Sequence, residues 1–167
     1  MSADLVIRLA LANEAELVGR ITADAYLHEG YVQPDGPYVA VLQDAISRAE
    51  RAELWVADLD GAIVGTVTFC PPGSPFRQTA TAAEGEFRAL AVSAGARGHG
   101  VGRRLVEQCF ERCRLFGLRQ LVLLSQEQMA PAHRLYAAMG FVRDSALDWS
   151  PAPGVCLQGF RADVPSI

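Results

Sequence analysis

The sequence contains no lysine: all fifteen of its basic side chains are arginines. A phosphate loop of the NTPase kind, which needs Gly-Lys followed by Ser or Thr, is therefore excluded. An excess of positive charge is missing too. The formal net charge is −4, whereas proteins that grip a phosphate backbone carry a basic footprint, so nucleic acid is not an expected partner. No run approaches the ~20 apolar residues of a membrane span. Met1–Asp4 is neither basic nor followed by an apolar stretch with a cleavage signal, so a cytoplasmic protein with no membrane partner is expected. Cysteine is scarce, and Cys70, Cys109, Cys113 and Cys156 each fall in an apolar strand or helix pattern, as packed, reduced thiols do. Cys109 and Cys113 lie four apart on one helix face, but no His or carboxylate arrangement nearby completes a ligand set, so no metal is expected.

What the chain does have is an ordinary globular composition, 50% apolar and 20% charged over 167 residues. This length fits one domain, residues 1–167, that buries roughly two thirds of its unfolded surface. Leu5–Ala10 reads as a strand, and Asn13 with Glu16 resembles a capping box that starts a helix towards Leu27. Gly30–Pro37 breaks it, and Tyr38–Arg48 follows with Val41, Leu42, Ala45 and Ile46 at helical spacing. Leu54–Leu59 and Ile63–Cys70 form a hairpin across Asp60-Gly61, and Pro71–Ala82 is a surface loop. The strand Glu86–Val92 leads through a glycine turn into a helix over Val101–Phe116 that Gly117 ends. Gln120–Leu124 is a continuous apolar strand of the kind that has parallel neighbours. A helix from Pro131 to Met139 and two closing strands, Phe141–Arg143 and Val155–Asp163, complete the chain, with an irregular segment around Pro151 and Pro153 between them. The order β-α-α-β-β-β-α-β-α-β-β predicts an α/β fold with helices on the faces of a mixed sheet.

The glycine turn, Arg97-Gly98-His99-Gly100-Val101-Gly102, carries the strongest functional signal. Glycines let an anion approach the backbone, and the first N–H groups of a helix have no intrahelical partners. A dinucleotide fingerprint is excluded, because the third glycine it requires would fall on Arg103 or Leu105.

Three segments in order resemble the GNAT superfamily of acyl-CoA N-acetyltransferases. Arg97, Gly100 and Gly102 match its pyrophosphate loop; Glu86-Phe87-Arg88-Ala89-Leu90-Ala91-Val92 is similar to the strand before that loop; Leu135-Tyr136 followed by Gly140-Phe141 resembles its helix-to-strand segment. The chain departs from the family at Met129, where Asn or Ser is frequent, and at Ala137, where Glu is. The resemblance implies a mostly antiparallel central sheet of about seven strands with about four helices. It also implies acetyl-CoA as cosubstrate and a small-molecule or peptide amine as acceptor. The pyrophosphate would lie against the backbone of Gly98, His99, Gly100, Val101 and Gly102, with charge from Arg97 and Arg103. The pantetheine arm would pair with the strand at Leu90, Ala91 and Val92 and pass Ser125 and Met129, with Val92 N–H polarising the thioester carbonyl.

For catalysis, Glu86 is the candidate base, set on the same strand face as Val92 by period-two alternation, with Glu84 behind it. The structural reading of Glu86 is an ion pair with Arg88 or a solvated strand end. Tyr136 is the candidate acid, since a phenol is matched to the departing thiol, and its structural reading is a helix-core aromatic. His99 is read as a surface spacer, His133 as solvated or lining the cofactor cleft, and His28 as a candidate to face the acceptor site. Asp24, Glu29, Asp35, Glu84 and Asp148 offer negative potential to a cationic amine, and Tyr26, Tyr31, Tyr38, Phe76 and Trp149 are candidates for an apolar pocket. The apolar Val155–Phe160 run is a candidate edge for a homodimer. A domain that binds acyl-CoA as a regulator and transfers nothing is the alternative reading.

Overall fold

The computed structural model describes residues 3–166. Met1 and Ser2, part of the segment read for a leader, lie outside them. Strand β1 (Leu5–Leu9) is followed by helices α1 (Ala15–His28), α2 (Tyr38–Gln43) and α3 (Ala45–Arg51) and the meander β2 (Glu53–Leu59), β3 (Ala62–Cys70) and β4 (Glu84–Val92). Then come α4 (Val101–Leu115), β5 (Gln120–Gln126), α5 (Ala130–Ala138), β6 (Val142–Arg143), β7 (Trp149–Ala152) and β8 (Val155–Asp163). The strands form one sheet in the order β1-β2-β3-β4-β5-β8-β6, with β7 also on β8. Only β4 and β5 run parallel; every other pairing is antiparallel. The mostly antiparallel α/β sheet is the one expected, but β5 has a parallel neighbour on one side only, because β8 returns antiparallel on the other.

Three local expectations are corrected. The α1 entrance is not the Asn13–Glu16 box: Glu14 Oε1 accepts from Leu11 N–H at 2.7 Å across a 3₁₀ turn, while Arg8 holds the same carboxylate. The helix expected over Tyr38–Arg48 breaks at Asp44, whose carboxylate takes Ser47 N–H at 3.1 Å and Ser47 Oγ at 2.7 Å and so caps α3. The segment around Pro151 and Pro153 is not irregular but makes β7, a hairpin with β8 that turns at Gly154. Pro151 is tolerated there because the strand lies at an edge. This one additional strand brings the sheet to eight.

Alternation along the strands divides the core between two faces. Trp55, Ala57, Val67, Phe69, Phe87 and Leu121 pack under α4, against Leu105, Cys109 and Phe110. Leu54 and Val56 turn the other way, onto Val18 of α1 and Ala45 of α3. Cys70, Cys109 and Cys113 are buried free thiols, as expected; Cys156 is exposed, because the β8 end that carries it lies beyond the layer covered by helices. Among the described residues, no helix is long and apolar enough to cross a membrane, and no three His, Cys, Asp or Glu side chains are grouped to hold a metal ion.

Candidate active site

The sheet opens where β4 leaves β5. The two strands pair from Glu84↔Gln120 to Glu86↔Val122 and no further. The cause lies in β4 itself. Thr68 pairs with Arg88 but Thr66 with Ala91, so Ala89 and Leu90 together oppose Val67. Ala89 takes the left-handed φ of 54° that this bulge requires, a conformation costing about 1–2 kcal/mol in a non-glycine residue. Bulges bend a strand and re-aim its side chains beside functional sites. Beyond this one, the β4 edge facing β5 has no strand partner. Ser93 N–H donates to Val64 O at 2.8 Å, and N–H groups alternate between edges, so Val92 N–H points the other way, into the gap.

The gap is a cleft of about 360 Å³, bounded by Phe87–Val92, by Leu123–Ser125 of β5, by the face of α5 that carries Ala132, Leu135 and Tyr136, and by Tyr26 and Tyr31. Its mouth is the glycine turn. Gly98 and Gly100 have φ of 81° and 75°, and nothing lies within 4 Å of where their Cβ atoms would be. Their substitution is therefore a matter of backbone strain and of the space a ligand would use. Arg104 N–H bonds Gly100 O at 3.1 Å, which leaves the N–H groups of Val101, Gly102 and Arg103 without helical partners at the start of α4.

Most of the expected cofactor residues meet here: Leu90, Ala91, Val92, Arg97, Gly98, Gly100, Val101, Gly102, Arg103, Ser125 and Met129 all line the cleft. His99 does not, and its side chain is exposed. The Arg97 guanidinium is paired with Glu29 at the end of α1, and Arg103 lies 3.4 Å from Glu107 in an exposed pair. Positive character at the turn therefore comes largely from backbone amides and the helix terminus. Ser125 Oγ lies 3.0 Å from His133 Nε2 and 3.4 Å from Met129 Sδ. Burial pulls the His133 pKa down, favouring the neutral ring.

Tyr136 joins the cleft to the core. Its ring packs edge-on against Phe87 at 5.9 Å and beside Phe141 at 5.7 Å, and it is 5% exposed. Burial raises the phenol pKa well above its ordinary value, so the hydroxyl stays protonated.

The placement of Glu86 corrects the alternation argument. Since Thr66 and Thr68 share a face, so do their partners Ala91 and Arg88, although these are three residues apart. The bulge thus puts Val92 on the α4 face and Glu86 on the opposite one. There Glu86 is 1% exposed, and its carboxylate accepts from Gln78 N–H and Thr79 N–H at 2.9 Å and from Ala80 N–H at 3.0 Å. It clamps the 71–82 loop and does not line the cleft; the ion pair with Arg88 is not formed either. Glu84 is likewise occupied, paired with Arg161 and accepting from Thr81 N–H and Oγ at 2.8 Å. No Asp or Glu is among the residues lining the cleft.

Tyr26 and Tyr31 line this cleft, Tyr38 and Phe76 line a smaller neighbouring cavity, and Trp149 lies exposed on β7, in neither. Two arginines with no site role expected from sequence border these cavities: Arg88, shared by both, and Arg48, buried at 3% exposure. The sequence did carry a signal for Arg48, which stands three residues after the buried Ala45 on the apolar stripe of its helix.

A sheet split by splayed parallel strands, with an amide-lined turn at the mouth, is an arrangement that can accept a long ligand with an anionic end. The chain matches the acetyltransferase (GNAT) family over residues 12–141, and it belongs to that family. It is similar to N-acetyltransferase family 8 member 3 of Rattus norvegicus, 27% identical over 110 residues, which are 62% of this chain and 47% of the relative. A Mus musculus homologue carrying the family 8 member 5 name is 34% identical over 118 residues, 66% of this chain and 51% of its own length. The chain thus spans about half the length of the curated relatives it matches. Its fold resembles that of a Staphylococcus aureus acetyltransferase of the GNAT family at a TM-score of 0.76, with 14% identity and 97% and 100% of the two chains covered. It also resembles yncA of Salmonella typhimurium, solved with its cofactor acetyl-CoA, at 0.70, with 19% identity and 98% and 95% covered.

Proposed function

We propose that this domain moves the acetyl group of acetyl-CoA to the primary amine of an acceptor by direct attack in a ternary complex. The observation that carries the reading is that the open edge of β4 and the glycine turn at the start of α4 face one cleft. Family membership and the acetyl-CoA of the yncA neighbour support it. When bound, acetyl-CoA supplies an activated acetyl thioester.

The residues fit such a ligand along its length. Gly98 and Gly100 leave room at the turn, and the free N–H groups of Val101, Gly102 and Arg103 suit phosphate oxygens. The unpaired edge from Leu90 to Val92 offers an amide-bearing arm the hydrogen bonds of an added strand. Ser125 and the apolar Met129 flank it from the β5 side. Val92 N–H is the donor for the thioester oxygen, and a fixed backbone donor of this kind stabilises charge there without reorganising. Tyr136 lines the cleft and is the proposed donor to the leaving sulfur, although burial makes its phenol a weaker acid than a free one. Glu86 acts as a positioning residue for the 71–82 loop, and the amine loses its proton to water in the cleft.

Isotope-labelled acetyl-CoA and a mixed set of amines, read by mass spectrometry, test the proposal together with acetyl-CoA titration by calorimetry. Binding with a labelled acetyl amide among the products is expected. Binding with no labelled amine would identify a regulatory acyl-CoA sensor instead, and absence of binding would overturn both.

A further inference from the structure

On the far side of the β4 bulge lies a second cavity, about 90 Å³, lined by Tyr38, Leu42, Arg48, Phe76, Arg88 and Ala89 together with Val41 and Asp44. It shares Arg88 and Ala89 with the main cleft. Two arginines look into this space in a chain whose net charge is −4, and among the described residues neither has a carboxylate within ion-pair distance. Arg48 is 3% exposed. Its two Nη atoms donate to Val41 O and Leu42 O at 2.9 Å, but its Nε–H is buried with no partner. An unsatisfied buried donor on a charged group is costly, by about 1–3 kcal/mol or more, and is rare without a reason. Arg88 donates to Tyr38 Oη at 3.1 Å and lies 5.7 Å from the centre of the Phe76 ring. The one acid in the lining, Asp44, accepts from Ser47 N–H at 3.1 Å and from Ser47 Oγ at 2.7 Å.

We infer that this cavity holds the carboxylate of the acceptor, so that the amines acetylated are acid-bearing ones, an amino acid or a close analogue, rather than cationic polyamines. The inference rests on the acetyl-transfer reading above. A carboxylate offers acceptors in the plane that guanidinium groups address best. It would relieve the mutual repulsion of two like charges, a repulsion that, after burial, is what lowers the Arg48 pKa. The size admits the carboxylate with a short stretch of carbon, roughly three waters' worth of space. Because Ala89 borders both cavities, an acid anchored here sets the rest of the acceptor at the bulge, next to the open edge of β4. The acids expected from sequence to attract a cationic amine are largely neutralised: Glu29 by Arg97, Glu84 by Arg161 and Asp148 by Arg143.

Two measurements test this without depending on each other. In the first, arginine Nε–H resonances of the ¹⁵N-labelled protein are titrated with propionate and with propionamide, no acetyl-CoA being present. Saturable shifts at Arg48 and Arg88 with propionate alone are expected, and their loss in Arg88→Gln. No saturable shift, or equal shifts with the amide, would overturn the inference whatever the catalytic outcome. In the second, amino acids compete with their own carboxamides for labelled acetyl-CoA. The acids are expected to be favoured at least tenfold in kcat/KM, and Arg88→Gln to bring that ratio near one. Equal turnover of acids and amides, or a ratio that Arg88→Gln leaves intact, would also overturn it. Failure of acetyl-CoA to bind would count against the acetyl-transfer reading and would leave the propionate result to decide this one.

Discussion

Tyr136, the proposed proton donor, is fixed by its surroundings: Phe87 and Phe141 pack its ring, and burial keeps its hydroxyl protonated. Tyr136→Phe retains that packing and removes only the hydroxyl group. We expect kcat to fall about 100-fold, with acetyl-CoA affinity and melting temperature little changed; unchanged kcat at saturation would contradict the assignment. Glu86 gives the opposite expectation. Glu86→Gln sets an amide N–H₂ against backbone donors of residues 78–80, so stability should drop by about 1–3 kcal/mol, with new proteolytic cleavage in the 71–82 loop. The acid limb of the pH–rate profile should instead follow the pKa of the acceptor amine when two acceptors are compared. A limb that stays fixed for both acceptors and vanishes in Glu86→Gln would restore Glu86 as the base. The residue types in this region were legible from sequence, but their facing was not. Period-two counting puts Glu86 and Val92 together, and one extra residue at Ala89 separates them.

At the scale of elements, the join between β4 and α4 was readable because it is local. A strand-like run, glycines and an amphipathic helix lie consecutively in the chain, and backbone chemistry alone makes the turn. Gly100→Ala imposes a Cβ on a φ of 75°, a strain of about 1–2 kcal/mol. Because the Cβ also enters the open space at the turn that a phosphate would use, calorimetry should show acetyl-CoA binding weakened roughly tenfold, while Gly117→Ala, with similar strain at a helix end away from the cleft, leaves it unchanged. The α2–α3 break and β7 were not readable, since each depends on a competition decided by tertiary neighbours: Asp44 as a cap against Asp44 within a helix, and Pro151 against the edge of β8. A charged staple ties the first strand to the meander. Arg8 bonds Glu14 at 2.8 Å and Asp58 at 3.1 Å, and holds the Glu14 carboxyl down to about 2. A depressed carboxyl contributes stability above its unfolded pKa and loses it as pH falls through the folded one. Glu14→Gln should therefore cost about 1 kcal/mol near neutral pH, after solvent screening of a partly exposed pair. The difference from wild type should close between about pH 4.5 and pH 2 in urea titrations.

For the molecule as a whole, the sheet is a scaffold opened at one seam, and its two faces divide the labour. The α4 and α5 side carries the glycine turn, Val92 and Tyr136, while the side of α1 to α3 carries Arg48, Arg88 and the clamped loop. The bulge at Ala89 is where the two meet. Sequence order exposed the first side, through three consecutive motifs, and hid the second, whose residues Tyr38, Arg48, Phe76 and Arg88 come together only through the fold. Ligand linkage gives a global readout: acetyl-CoA at 100 times its Kd should add about 2.7 kcal/mol to the unfolding free energy. The most direct measurement is the transfer itself, with ¹³C-acetyl-CoA incubated with the protein and a set of free amino acids, and each amine followed by mass. The account predicts that an acid-bearing amine gains one labelled acetyl group for each CoA thiol released. An unlabelled amine pool, with no thiol released and no change in melting by acetyl-CoA, would contradict it.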